Sequence, residues 1–275
     1  MKLLIFSDID GTFLNHSNYS YGNLKKYLDR IKNNSYIIFN TSKTFSEVFN
    51  LSKKLELKFP FIVENGACIF FPKNWLKLKI PSEGFFKYKS FYGYKLSKYN
   101  SKYIKSKITN LKNNYKFSFY SELNEEKIKN ITNLKIKEVK RSKQRMFTDP
   151  ILWEDTDQNI IKFKEQVLSW NNSLKVFKGG RFLHISDYYD KTLAMQKFIS
   201  LTSTALKKKY ISVSLGDSEN DIGMLENSDY SCIVKNKNCR ISIKKENNVY
   251  FSKNVAPEGW SESIDFVLEM EKKNF

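Results

Sequence analysis

The chain opens on an apolar run, Leu3-Leu4-Ile5-Phe6, that empties into Ser7-Asp8-Ile9-Asp10-Gly11-Thr12. The run predicts a buried strand. Two carboxylates spaced i, i+2 leave its end on the same side, ahead of a glycine that can turn the chain and a hydroxyl that can hold it. Acids fed from a buried strand must be paired or kept wet. The pattern therefore makes a poor core and a good seat for a divalent cation beside a nucleophile. A local turn shaped by Asp and Gly is the plainer reading, and the rest of the chain decides between them.

Beyond this loop the chain alternates strand and helix. Leu24, Tyr27, Leu28 and Ile31 fall at helical spacing within 23–33, and Tyr36-Ile37-Ile38-Phe39 reads as a second short buried strand. Thr44-Phe45-Ser46-Glu47 is a capping-box pattern opening a helix that runs to Leu55, and Phe61-Ile62-Val63 is a third strand. This rhythm predicts an α/β fold, a doubly wound and mostly parallel sheet with a Rossmann-like core.

Near Glu83 the rhythm changes. Aromatic-rich stretches (85–92 and 115–120) mix with lysine-rich helical stretches (96–113 and 159–170), and 175–185 reads as a hairpin around Lys178-Gly179-Gly180. Strand–helix alternation resumes with a helix over 192–208, a strand at 211–215, a short helix from Glu219 and a last helix over 261–272. The expectation is a core domain formed by 1–82 and 187–275, interrupted by an α+β cap at 83–186.

A chain of 275 residues with 15% aromatic residues can bury a large core. No apolar run is long enough to span a bilayer and no basic-then-apolar leader precedes the first strand, so no membrane is expected. Cys68, Cys232 and Cys239 cannot all pair and lack metal-ligand spacing, which points to a reducing, cytoplasmic setting. The net charge of +18 raises nucleic acid as a partner. Yet only five of the 47 basic residues are arginine, and the lysines are scattered among asparagines rather than gathered in a tract. That is a compositional bias, and no nucleic-acid partner is expected. Oligomeric state, monomer or homodimer, stays open.

In an open α/β sheet ligands sit beyond the carboxyl ends of the strands. Besides Asp8 and Asp10, the second strand ends in Asn40-Thr41-Ser42-Lys43-Thr44, and the 211–215 strand in Gly216-Asp217-Ser218-Glu219-Asn220-Asp221. Lys191 opens the helix before that strand. Taken singly, Thr41 or Ser42 could be a cap neighbour, Lys191 a solvated lysine and Gly216-Asp217 a turn. Together, hydroxyl, lysine and carboxylates at one sheet edge make a constellation for phosphate and a metal ion.

These four segments, in this order and at these strand ends, resemble the motifs of the haloacid dehalogenase-type phosphatases, and the insertion resembles the cap of their Cof-type branch. Thr41-Ser42-Lys43-Thr44, Glu64-Asn65-Gly66, Lys143-Gln144-Arg145 and 179–184 (Gly-Gly-Arg-Phe-Leu-His) resemble, more narrowly, the mannosyl-3-phosphoglycerate phosphatases, which share their chemistry with enzymes acting on glucosyl-3-phosphoglycerate. The chain departs from them at 185–190, where that family tends to have glycines.

The resemblance implies a Mg²⁺-dependent phosphatase of a small phosphorylated glycoside. Asp8 is then the nucleophile and Asp10 the proton carrier. Asp8, Asp217 and the Asp10 carbonyl ligate the metal, with Asp221 in support, and Thr41, Lys191 and Asn220 hold phosphoryl oxygens. Ser42, Lys43, Glu64, Asn65, Arg145, Gly179, Gly180 and Arg181 are the expected substrate contacts, the two arginines because a planar carboxylate favours a guanidinium fork. His184 reads as a satisfied core histidine. The competing readings are a sucrose-phosphate-type phosphatase, a phosphosugar mutase and, more remotely, a nucleic-acid-binding protein.

Overall fold

The structure is a computed structural model, and it describes residues 2–75, 84–179, 181–206, 210–237 and 239–273. In its first part β1 (Lys2–Ser7), α1 (Leu24–Ile31), β2 (Ser35–Asn40), α2 (Phe45–Lys54), β3 (Phe61–Val63) and β4 (Cys68–Pro72) succeed one another. The β5 (Phe85–Tyr88) and β6 (Phe91–Lys95) hairpin comes next. A second group holds α3 (Ser101–Ile108), β7 (Phe117–Phe119), α4 (Glu125–Thr132), α5 (Ile136–Ser142), β8 (Ile151–Trp153), α6 (Asp157–Trp170), β9 (Lys175–Gly179) and β10 (Phe182–Ser186). The chain closes with α7 (Lys191–Leu206), β11 (Tyr210–Gly216), α8 (Ile222–Glu226), β12 (Tyr230–Lys235), β13 (Val249–Val255) and α9 (Glu258–Lys273).

The large sheet has the order β13-β12-β11-β1-β2-β3-β4-β6-β5. It is parallel from β13 to β3 and antiparallel beyond. Burial of both faces of the sheet, with side chains alternating between them, explains the unbroken apolar run Leu3–Phe6 within β1. Leu3 and Ile5 join the apolar cluster on one face, with α1, α2 and α9, while Leu4 and Phe6 join the other, with α7. The α2 helix starts as its sequence directs: Thr44 accepts from the Glu47 amide, and Glu47 accepts from the Thr44 amide.

The smaller sheet, β7-β8-β10-β9, is antiparallel and packs Phe117, Phe119, Ile151, Leu183 and Ile185 against α3 and α6. The boundary expected at 82/83 lies outside the described residues. One part of that division needs correction, because the Phe85–Lys95 hairpin belongs to the large sheet. β6 pairs with β4 along its whole length, from Cys68↔Lys95 to Pro72↔Phe91, and so covers an edge whose backbone groups would otherwise lack partners. Only the segment after it, up to Ser186, builds the smaller sheet and its helices.

Expected elements match in kind and differ in extent. The 96–113 helix is confined to Ser101–Ile108, with a short 3-10 turn at Thr109–Asn113. The end of the 192–208 helix lies outside the described residues beyond Leu206. Six further elements, β4, β8, β12, β13, α4 and α5, have no counterpart in the sequence reading.

Candidate active site

β1 delivers Asp8 to the carboxyl edge of the sheet, where the Asp8 amide donates to the Leu215 carbonyl of the neighbouring β11. The turn after β11 delivers Asp217 and Asp221. Carboxylate oxygens of Asp8, Asp217 and Asp221 lie within 4.8 Å of one another, and all three side chains are buried. Lys191, at the start of α7 and 1% exposed, donates from Nζ to Asp8 Oδ1 and to Asp221 Oδ1, both at 2.6 Å. Asn40 fixes that helix start by donating to the Lys191 carbonyl.

Asp221 is already committed: its second oxygen accepts from the Asp217 and Ser218 amides and the Ser218 hydroxyl, each at 3.1 Å. Asp217 accepts from Thr12 Oγ1 at 2.8 Å and Asn236 Nδ2 at 2.6 Å, two neutral donors. Gly11 permits this approach. Its φ is +83°, and a Cβ there would stand 2.4 Å from Asp217 Oδ2.

Among the described residues, three buried carboxylates thus lie around one ammonium. Burial pushes the Asp8 carboxyl up to about 7, against the pull of Lys191 and with the help of Asp221. Burial, with Asp8 and Asp221 beside it, holds Asp217 well above the usual carboxylate range. Burial works against the Lys191 ammonium, but Asp221 and Asp8 outweigh it and hold its pKa above the ordinary value. Such an excess of buried oxygen charge is what a hard divalent cation offsets.

Asp10 stands apart from that trio. Its Oδ2 pairs with Lys43 Nζ at 2.8 Å, while its Oδ1 is buried without a hydrogen-bond partner among the described residues. Lys43 also reaches Glu47 at 3.4 Å and lies over the Tyr19 ring. Burial disfavours the Lys43 ammonium, yet Asp10 and Glu47 keep its pKa raised. Thr41 is fully buried beyond β2, with Oγ1 accepting from the Lys43 amide. Asn65 donates its amide to the Thr41 carbonyl, and its side chain accepts from Asn220 Nδ2 at 3.2 Å. The expected strand-end residues therefore converge.

The expected substrate contacts divide differently. Arg181 is exposed at the start of β10 and acts on the Tyr19 phenol, in the loop beyond Asp10. Gly179 packs on the His184 ring, where a Cβ would stand 2.9 Å from the imidazole, and Gly180 lies outside the described residues. Ser42 is half-buried, and its carbonyl accepts from Arg145. Two of them are turned toward the chain itself. Glu64 is fully buried and binds the chain itself, accepting from the amides of Met146, Phe147 and Thr148 and the Thr148 hydroxyl. Arg145, rather than standing free for a carboxylate, donates to Thr148 Oγ1 and Ser42 O and lies 3.8 Å from Glu64.

Sequence reasoning missed Asn236 and left Thr12 without a partner. Asn236 comes directly after β12, the strand beside β11, so the rule that ligands gather at strand carboxyl ends could have found it.

A doubly wound sheet bearing acids and a lysine at its carboxyl edge offers a place for a metal ion and an anionic ligand. The chain belongs to the haloacid dehalogenase-like hydrolases, whose family pattern matches residues 5–259. It is 33% identical over 268 residues, 97% of each chain, to the glucosyl-3-phosphoglycerate/mannosyl-3-phosphoglycerate phosphatase of Persephonella marina. It is 28% identical, over 96% of each chain, to a protein of the same name from Methanococcoides burtonii. A solved structure from Thermotoga maritima superposes with a TM-score of 0.66 at 20% identity, covering 98% of this chain and 97% of the other. No helix among the described residues is long and apolar enough to cross a membrane.

Proposed function

We propose that this protein is a Mg²⁺-dependent phosphatase that hydrolyses a glycosyl-3-phosphoglycerate, glucosyl or mannosyl, to the glycosylglycerate and phosphate. The observation that carries the reading is the buried trio Asp8, Asp217 and Asp221 facing Lys191 at the sheet's carboxyl edge. The names of its full-length relatives supply the substrate class.

The donors fit magnesium, being carboxylate oxygens with no sulfur or imidazole among them. Asp8, Asp217 and the Asp10 carbonyl would hold the ion, with Asp221 behind them orienting Lys191 and the 217–218 turn. When bound, Mg²⁺ neutralises the repulsion between the Asp8 carboxylate and a phosphoryl dianion. Lys191 fixes the Asp8 carboxylate through Oδ1 and, with Thr41 and Asn220, meets phosphoryl oxygens. Asp8 attacks phosphorus and the bond to the glycerate oxygen breaks, with Asp10 giving that oxygen its proton. A water molecule then attacks the aspartyl-phosphate. Asp10 takes the water's proton, and phosphate leaves with Asp8 restored. The Asp10 Oδ1, buried and without a partner among the described residues, supports the proton-carrying role. The smaller sheet and its helices form the cap, and Arg181 with Tyr19 marks where the cap meets the core beside Asp10.

The test is phosphate release from glucosyl- and mannosyl-3-phosphoglycerate, with sucrose phosphate alongside, in Mg²⁺ and in EDTA. Release from the first two that requires Mg²⁺, needs no bisphosphate activator and is lost in Asp8→Asn is expected. Faster release from sucrose phosphate would move the enzyme to the sucrose-phosphate type. Undiminished turnover in Asp8→Asn would end the covalent mechanism.

A further inference from the structure

Glu64, Asn65 and Gly66 form a tight turn at the end of β3 in which all three residues have positive φ, at +51°, +59° and +97°. Two successive non-glycine residues in the left-handed region cost free energy that surrounding contacts must offset. Those contacts run in every direction. The Glu64 amide donates to the Lys43 carbonyl at 2.9 Å and the Asn65 amide to the Thr41 carbonyl at 2.9 Å. A Cβ on Gly66 would stand 2.1 Å from the Asp190 carbonyl, so the turn lies flush against the start of the Lys191 helix. Asn65 bonds to Asn220. One turn therefore touches three of the four strand-end segments through backbone and amide contacts.

Its fourth contact is of another kind. The Glu64 carboxylate crosses to the inserted unit and takes up Met146 N at 2.8 Å, Phe147 N at 3.1 Å, Thr148 N at 2.8 Å and Thr148 Oγ1 at 2.7 Å. Three successive amides turned toward one carboxylate form an anion nest, here filled by the protein's own side chain. Arg145 completes the clasp by bonding to Thr148 and reaching back to the Ser42 carbonyl at 3.1 Å. One helix turn away, Thr44 Oγ1 donates to the Arg141 carbonyl at 3.1 Å along the same seam.

We propose that Glu64 and Arg145 are positioning residues that seat the 145–148 loop of the cap on the Thr41–Lys43 segment, so that cap placement and the phosphate side of the site are set by one turn. The proposal rests on the phosphatase reading for its kinetic arm and on geometry alone for its structural arm. Both residues act through other groups, and neither touches the reacting atoms. Glu64→Gln is the natural variant, because it turns one acceptor oxygen into an NH₂ that faces backbone N–H donors. It leaves intact the backbone bonds that hold Thr41 and Lys43.

The experiment compares wild type, Glu64→Gln and the milder Thr148→Val by hydrogen exchange over 145–148. It also measures kcat/KM on glucosyl-3-phosphoglycerate and on p-nitrophenyl phosphate, a small ester that makes no cap contacts. Exchange in 145–148 should speed by about 10- to 100-fold in Glu64→Gln, the worth of hydrogen bonds to a charged group, and by less in Thr148→Val. The glycosyl substrate should lose about 10-fold or more relative to p-nitrophenyl phosphate. Unchanged exchange in both variants, or equal losses on both substrates, overturns the proposal. If wild type turns over neither substrate, the phosphatase reading fails, while the exchange comparison still decides whether Glu64 seats the loop.

Discussion

The strand ends and the seam with the 145–148 loop both bury carboxylates, and they treat them in opposite ways. At the seam, one acid, Glu64, meets three amides, a hydroxyl and a nearby guanidinium. At the strand ends, among the described residues, one lysine pairs with two of the three acids, and the hydrogen-bond partners of Asp217 are neutral. Fully matched charge holds a structure together; charge left over is kept because something else is meant to match it. By that criterion the seam is architecture and the strand ends are chemistry, although both lay in segments that looked functional in the sequence.

The sharpest way to break this division is Asp8→Asn. As the nucleophile proposed above, Asp8 cannot be replaced by an amide, so turnover should fall by roughly 1,000-fold or more. Phosphate release measures it, and circular dichroism should show the fold retained. Lys191→Met should come next in size. It leaves Asp8 and Asp221 without their shared counter-charge, and removing one partner of a buried pair costs about 3–5 kcal/mol. Urea unfolding in EDTA reads this directly, and a loss below about 1 kcal/mol would mean that the trio is already neutralised by protons.

How much of this contrast was legible in the sequence depends on its physical origin. Asp8, Asp217 and Lys191 are placed by β1, β11 and α7, whose apolar patterns announce a strand end or helix start, so convergence follows from sheet topology. Glu64 and Arg145 are 81 residues apart, and nothing local tells an acid at a strand end that it will meet backbone amides of a distant loop. Backbone partners leave no trace in residue identity. The Phe85–Lys95 hairpin failed for a related reason: alternation reveals a strand and not which sheet edge it will complete. His184, read as a core histidine, is buried and stacked on Phe177, though its Nδ1 has no partner among the described residues.

A cation should sharpen the comparison from the other side. Mg²⁺ at about 100 times its dissociation constant should stabilise wild type by about 2.7 kcal/mol. Asp217→Asn should lose that response and, in EDTA, be at least as stable as wild type, since it removes an uncompensated buried charge. Thermal unfolding with and without Mg²⁺ measures both. The metal-free protein should also have an unusual pH slope. The Asp8 carboxyl is near 7 in the folded chain against 3.8 ordinarily, so it contributes stability below about 4 that is lost as pH rises toward 7. An equal gain from Mg²⁺ in wild type and Asp217→Asn would place the cation elsewhere.

The smallest effect tests a buried group outside the strand ends, and its sign is reversed. Burial, with Arg145 nearby, pushes His184 down to about 3 from an ordinary 6.5. The unfolded chain binds a proton below 6.5 that the folded one refuses. This group's contribution is therefore complete above about 6.5 and is lost as pH falls toward 3. One proton limits the slope to about 1.4 kcal/mol per pH unit. Replacing the imidazole by a group that does not titrate, His184→Asn, should flatten the acid limb of the stability profile between pH 6 and 4 while leaving the metal-free rise toward low pH from Asp8 in place. Should the limb keep its slope in His184→Asn, its source is elsewhere, and the imidazole is already paired or protonated in the fold.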